Sequence, residues 1–509
     1  MAEEREPKVQ EGKAKRGRRA EPGEPPDRPE PRRVKTPNAP KVIPRVRKGK
    51  PRPLEEPSPE SGVEEMPNDP EGQDPVVFTT YTPGPDDAFA GFAVSNNVPD
   101  ATGADSEPGV VLRAYNTYLD VSTDRGLSFK RFDPRTIFTQ PLGGGISGDQ
   151  VILYVPRIER FVWFMQHTKA ASGEGAFRIA IGSPQDVKSD PKTAWTFFDF
   201  IAGDFGDATQ DLDYPDLVAT SENLYVGTDI FSAPASAGAK PKAFGRLIFR
   251  IRLTELTTGS INFTYTKVTD VSGTLKAKFA QGSGDRALWS GHKDTSTLRI
   301  WEWPDSSGSG PTSHDVGAAT WSNTTADITS LAPDGTTDWL SNLSTSIRDK
   351  VIGATRTGDD LWLAWTAGKG DAGTGGFSFP HPHVRVAQVD VKTWKLKSEM
   401  QVWNSAHAFA YPVLNANGRG EIAIGLGFGG PPMNPDSAFG IIGDFVVWFV
   451  NGSDRALNRW GDYLAIRRDA RNEALFAGFG YFTMKTTKRS VGYLFNPFYL
   501  RFGRKSVSP

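Results

Sequence analysis

One pattern recurs along most of this chain: a short strand, a tight polar turn, then an aromatic-rich apolar strand. It runs as Val151-Ile152-Leu153-Tyr154, a turn at Arg157 to Arg160, and Phe161-Val162-Trp163-Phe164. It returns as Asp216 to Ala219 with Leu224-Tyr225-Val226, and as Phe279 with Ala287-Leu288-Trp289. Three further copies are Val351-Ile352 with Leu361 to Trp365, Tyr411 to Leu414 with Ile422-Ala423-Ile424, and Tyr463-Leu464-Ala465 with Ala474-Leu475-Phe476. The second strands begin about 53 to 73 residues apart, and further strand-like runs such as Gly245 to Arg252 and Ile261 to Tyr265 lie between the hairpins. A fixed period of this length is the mark of a repeat architecture.

Four strands per repeat, six times or more, predicts an all-β chain folded as a β-propeller. A unit from Val76 to Phe138 makes seven blades; six is the alternative count, and stacked sandwiches are the rival architecture. Radial packing buries both faces of each blade, which accounts for strands with little polar alternation. No window sustains a long helical period, and Pro333 to Leu343 reads as one short helix. The 53 glycines and 39 prolines fit the many turns, and zero cysteines exclude disulfides, zinc–thiolate and iron–sulfur sites.

Composition changes sharply near residue 75. The segment before it holds 16 of the 39 prolines and no aromatic residue, so it cannot offset the entropy of ordering its backbone. Residues 1–75 are therefore expected to be a disordered tail, and 76–509 the propeller. Its charges are segregated into a basic arm through Arg52 and an acidic spacer from Pro53 to Pro75, inside a net charge of -1. The arm suits an acidic partner. The opening Met1-Ala2-Glu3-Glu4-Arg5 is no secretory signal, which points to the cytoplasm or a non-Sec export route. No apolar run is long enough to span a membrane.

Ser122-Thr123-Asp124-Arg125-Gly126-Leu127-Ser128-Phe129 fits an Asp-box, in which Asp124 accepts backbone N–H groups, Gly126 takes a positive φ and Phe129 plugs a blade interface. Here the chain resembles the sialidase-like, Asp-box (BNR-repeat) propeller superfamily. Tyr411 to Gly425 followed by Arg459-Trp460-Gly461-Asp462-Tyr463 is similar to bacterial propellers of unassigned function. Catalytic members of the superfamily carry an early Arg-Ile-Pro motif and three arginines that clamp a carboxylate. Neither is found here; the nearest strings are Val155-Pro156-Arg157 and Ile43-Pro44-Arg45. The resemblance therefore implies a fold and no catalytic residue.

Inner strands line a propeller's channel, and ligands collect at its mouth. Their starts carry Asp149; Asp213, Tyr214 and Asp216; His407 and Tyr411; and Trp460, Asp462 and Tyr463. Converging carboxylates at Asp149, Asp213, Asp216 and Asp462 suit sugar hydroxyls or a hard cation such as calcium, or else each closes its own turn. Trp460 is placed to stack on a sugar face. The reading is a non-enzymatic binding protein holding a glycan, peptide or cation at the channel mouth. The alternative is a glycan-active hydrolase or lyase lacking the arginine clamp.

Overall fold

The computed structural model describes residues 7–21, 52–53, 74, 76–83, 100–116, 118–140, 142–169, 173–232, 241–324, 326–340, 350–370, 377–444, 447–449, 453–457, 460–462, 464–485 and 493–507. Most of them form antiparallel meanders that follow one another in chain order, and the three short α-helices among them span 4–6 residues each. No helix among the described residues is long and apolar enough to cross a membrane.

The first meander holds Thr102–Asp105, Val111–Tyr115, Tyr118–Ser122 and Lys130–Phe132. The second holds Ile146–Val155, Arg160–His167, Ala176–Gly182 and Trp195–Ile201. The third holds Gln210–Ala219, Asn223–Ser232, Ala243–Arg252 and Phe263–Val268. Three strands, Arg286–Asp294, Thr297–Pro304 and Thr312–Gly317, make the fourth, with Phe279 bridged to Trp289 on its inner side. The fifth holds Gly353–Thr357, Asp360–Ala367, His383–Asp390 and Lys395–Val402.

A nine-stranded sheet follows, running from Ala408–Ala416 through Tyr493–Arg504 to Val76–Pro83. The expected first unit, Val76 to Phe138, is thus divided. Val76–Pro83 pairs with the last strand of the chain, Tyr499 opposite Thr82, and not with the first meander.

Alternate side chains of one strand serve two different cores. Trp163 packs with Leu112 and Leu119 of the first meander, whereas its neighbour Phe164 packs with Phe249 and Leu217 of the third. Phe164, Phe177 and Phe200 stack in sequence at 4.8 and 5.0 Å. This is why the strands show so little polar alternation. The expected helix over Pro333 to Leu343 is absent from its described part. Asp334 caps the backbone N–H groups of Thr336 and Thr337, and Asp338 caps Ser330, so local side-chain bonds hold a turn instead.

Residues 7–21 correct the expectation of a disordered tail. Gln10–Glu11 pair with Tyr265 and Thr264, Lys15–Arg16 with Ile261 and Ser260, and Arg18–Arg19 with Phe197 and Thr196. The segment straps the outer edges of the second and third meanders. Lys15 pairs with Asp204 at 2.6 Å, Arg18 pairs with Asp199, and Ala20 is buried. Backbone pairing to an open sheet edge needs no apolar side chain, so composition alone did not reveal it. Apart from residues 52–53 and 74, the rest of the tail lies outside the described residues.

Candidate functional site

Three of the strands that open meanders share an irregular start. Pairing shifts register between Ile146 and Gln150, between Asp213 and Asp216, and between Ala410 and Val413. At these bulges Gly148, Tyr214 and Tyr411 take φ of 103°, 55° and 57°, and Lys276 takes 58° before the Phe279 strand. A tyrosine or lysine at positive φ is held against its own preference by its surroundings. The bulges turn successive side chains toward one another across the ends of neighbouring meanders.

Asp149 and Asp213 meet at one end through Gln166. Its Oε1 accepts the Asp149 N–H at 3.1 Å, and its Nε2 donates to Asp213 Oδ1 at 3.1 Å. Lys276 Nζ donates to Asp213 Oδ2 at 3.2 Å, and the Lys276 backbone N–H donates to Asp229 Oδ2 at 3.0 Å. Burial pushes the Asp149 carboxyl well above the ordinary carboxylate range, and the charges of Asp100, Asp213 and Asp462 push it the same way. Burial acts in the same direction on Asp213, but Lys276 and Gln166 outweigh it and hold that carboxyl below its ordinary value. Two neighbouring carboxyls thus have opposite protonation preferences.

The remaining acids tie strands together. Asp216 Oδ2 accepts the Phe279 N–H at 2.5 Å, and Asp100 Oδ1 accepts the Asp462 N–H at 2.7 Å. Asp462 and Asp216 are both buried. Asp213 differs, with its side chain 42% exposed.

The aromatic candidates are covered. Trp460 is 1% exposed, with Tyr481 stacked at 4.6 Å, Tyr411 at 5.3 Å and Trp339 at 6.2 Å, so no sugar face reaches it. Tyr214 is fully buried, and Lys276 and Lys278 each stand 4.4 Å from its ring centre. Tyr411 is 1% exposed. His407 stands edge-on to Phe428 at 5.8 Å, in the neighbouring core, and Tyr463 lies outside the described residues.

Calcium does not fit this arrangement. Among the described residues no three acidic or histidine side chains gather as a metal site, and the Lys276 ammonium already faces Asp213. Asp100, Gln166, Asp229, Lys276 and Lys278 escaped sequence reading. The signal for two of them was Lys276-Ala277-Lys278 directly before Phe279, at the place where the other repeats open.

The 122–129 turn joins the last two strands of the first meander. Ser122 Oγ donates to Asp124 Oδ1 at 2.7 Å, the Gly126 N–H donates to Ser122 Oγ at 2.8 Å, and the Ser128 N–H donates to Asp124 Oδ1 at 3.0 Å. Gly126 takes φ 83°, and an added Cβ there would meet the Tyr499 ring at 2.3 Å. Phe129 lies under the Arg113 guanidinium at 3.8 Å and edge-on to Tyr499 at 6.0 Å.

No family model matches the chain, and no curated protein matches its sequence. Among solved structures, a protein of unknown function from Dyadobacter fermentans is similar at 7% identity and TM-score 0.41, over 84% of this chain and 99% of that one. A GH93 α-L-arabinofuranosidase of Fusarium graminearum is similar at 10% identity and TM-score 0.37, over 84% and 97%. A Trypanosoma rangeli sialidase is similar at 8% identity and TM-score 0.35, over 84% of this chain and 60% of that one. Likeness at this level assigns neither an activity nor a ligand.

Proposed function

We propose that the chain is a seven-bladed propeller that binds a glycan at the mouth of its central channel, without cleaving it. Seven blades follow if the nine-stranded sheet supplies two of them. A circuit of hydrogen bonds between successive meanders supports this count: Thr102 with Ile152, Gln166 with Asp213, Asp216 with Phe279, Gln281 with Ala354, Thr355 with Ala416, Asn415 with Ile466, and Asp100 with Asp462. The 122–129 turn is then an Asp-box that closes one blade's outer hairpin.

The observation that carries the binding reading is Asp213. Its carboxylate keeps an open face while the Gln166 amide and the Lys276 ammonium fix its other lone pairs. An ionised acceptor beside two donors suits vicinal hydroxyls. A glycan array probed with the full chain tests this. Retention of an oligosaccharide that Asp213→Asn weakens at least tenfold supports the reading, and undiminished retention overturns it.

The hydrolase alternative draws on the contrast between Asp149, whose pKa is raised, and Asp213, whose pKa is lowered, since acid–base cleavage needs carboxyls pushed in opposite directions. Release of reducing ends from the retained oligosaccharide, lost in Asp149→Asn, would favour it. The arm's bases Lys13, Arg16 and Arg19 are exposed, which supports an acidic partner along that outer wall.

A further inference from the structure

Beside Asp213 stands an aromatic side chain that the packing of the fold leaves unused. Phe231 lies near the end of the strand Asn223–Ser232, with Asp211 directly across from it, as Asp213 is across from Asp229. Residues two apart on paired strands share a face, so Asp211, Asp213, Asp229 and Phe231 line one side of this hairpin. The Lys276 ammonium touches that side at 3.2 Å from Asp213, 3.9 Å from Asp229 and 5.6 Å from the Phe231 ring centre.

Phe231 is half-buried and joins none of the hydrophobic cores of the described residues. Phe244 is the extra residue of the bulge opposite it, where pairing shifts between Ile230 and Phe231, and is 44% exposed. Aromatic area left open beside an ionised acceptor is the usual lining of a small-ligand site. The stacking role expected of Trp460, which is covered, thus has a candidate at the mouth itself.

The charges beside the ring narrow the ligand. Lys169 Nζ donates to Asp211 Oδ2 at 3.0 Å, and Lys276 is held by Asp213 and Asp229, so both ammonium groups are already matched. Arg246 is fully buried and pairs with Asp229 at 2.6 Å. The exposed Lys242 accepts the Ser232 N–H through its backbone, one residue out of phase with Phe231, so alternation turns it to the other side of the hairpin. A sugar carboxylate laid on the ring would meet Asp211 and Asp213, with no unengaged ammonium of the described residues on that side.

We propose that Phe231 is the stacking platform of the mouth, on which an uncharged pyranose lays its C–H face while its hydroxyls bond to Asp213. The negative face of the ring attracts the weakly positive C–H groups, and the carboxylate fixes the orientation. This inference rests on the glycan reading of Asp213 and narrows it to neutral sugars, against sialic and uronic acids.

The test is a glycan array probed with the full chain and with Phe231→Leu, Phe231→Tyr and Asp213→Asn. Leucine keeps apolar bulk but removes the flat ring, whereas tyrosine keeps the ring. The parent should retain neutral oligosaccharides and no sialylated or uronate-bearing one. Phe231→Leu should weaken that retention about tenfold and Phe231→Tyr should preserve it. A crystal of the parent soaked with the retained oligosaccharide should hold a pyranose ring against Phe231, which keeps the test decisive if the leucine variant does not fold. Retention that Asp213→Asn weakens and Phe231→Leu leaves unchanged overturns the platform while the glycan reading stands. Retention confined to acidic or amino sugars overturns the neutral class, and a parent that retains no glycan overturns the glycan reading and the platform with it.

Discussion

The Lys276 ammonium lies 3.2 Å from the Asp213 carboxylate and joins the third meander to the strand that opens the fourth. Asp229, fully buried, faces the same ammonium at 3.9 Å, so Lys276 stands between two acids of different exposure. Removing the exposed partner leaves the buried one in place. Asp213→Asn should therefore cost about 1 kcal/mol, discounted for solvent screening, and leave the fold intact. A guanidinium chloride melt checks this, and collapse of the transition would count against the assigned geometry.

Asp149 gives a pH signature of definite sign. Burial and then the charges of Asp100, Asp213 and Asp462 raise its folded pKa well above the ordinary 3.8. The folded state keeps a proton that the unfolded chain releases, so this group subtracts stability as pH rises above the unfolded value. Asp213, whose pKa is lowered, contributes in the opposite sense: its stabilisation is present above the unfolded value and is lost as pH falls through the folded one. Asp149→Asn should melt higher than the parent at about pH 8, with the gap closing toward about pH 4. A gap independent of pH would contradict the raised pKa.

The strap is tested through its glycines. A Cβ at Gly12 would collide with the edge of the Phe263 ring, and one at Gly17 would meet Thr196 Cγ2 at 2.6 Å. Gly12→Val with Gly17→Val should free the Gly12, Gly17 and Ala20 N–H groups from Phe263, Gly259 and Trp195. The expected cost is about 1–3 kcal/mol. Hydrogen exchange should show protection of residues 10–20 in the parent and its loss in the variant. Unprotected amides there in the parent would show that the strap is not docked in solution.

Glu399→Ala probes the buried arginines. Arg385 is 1% exposed, its Nη2 lies 3.2 Å from Glu399 Oε1 and its Nη1 donates to the Thr320 carbonyl, so truncation removes a carboxylate from a buried guanidinium that keeps its carbonyl bond. The expected loss is about 3–5 kcal/mol, read from the shift of the urea midpoint.

The hairpins were legible because Trp163, Phe161 or Trp365 mark strands that face two cores at once, and the turns between them are polar. The strap was not, since pairing through Gly12 and Gly17 leaves no apolar trace. Lys276 was missed because the segment it opens is held by isolated bridges, Phe279 to Trp289 and Gln281 to Thr355, and not by a regular strand. Another signal lay unread in Phe177-Arg178-Ile179, Gly245-Arg246-Leu247, Leu298-Arg299-Ile300 and Val384-Arg385-Val386. Each places an arginine near the start of a corresponding strand, and its acid comes from the neighbouring strand. Asp216 and Asp462 could not be separated from Asp213 by sequence. Whether a carboxylate caps a backbone N–H or keeps an open face depends on contacts between residues far apart in the chain.

The most direct measurement is hydrogen exchange of the full chain with and without the oligosaccharide that a glycan array selects. A glycan held at the mouth predicts new protection together in three peptides, covering residues 146–167, 210–216 and 271–279. Protection confined to the outer walls or the strap, with these three unchanged, would contradict a binding site centred on Asp213.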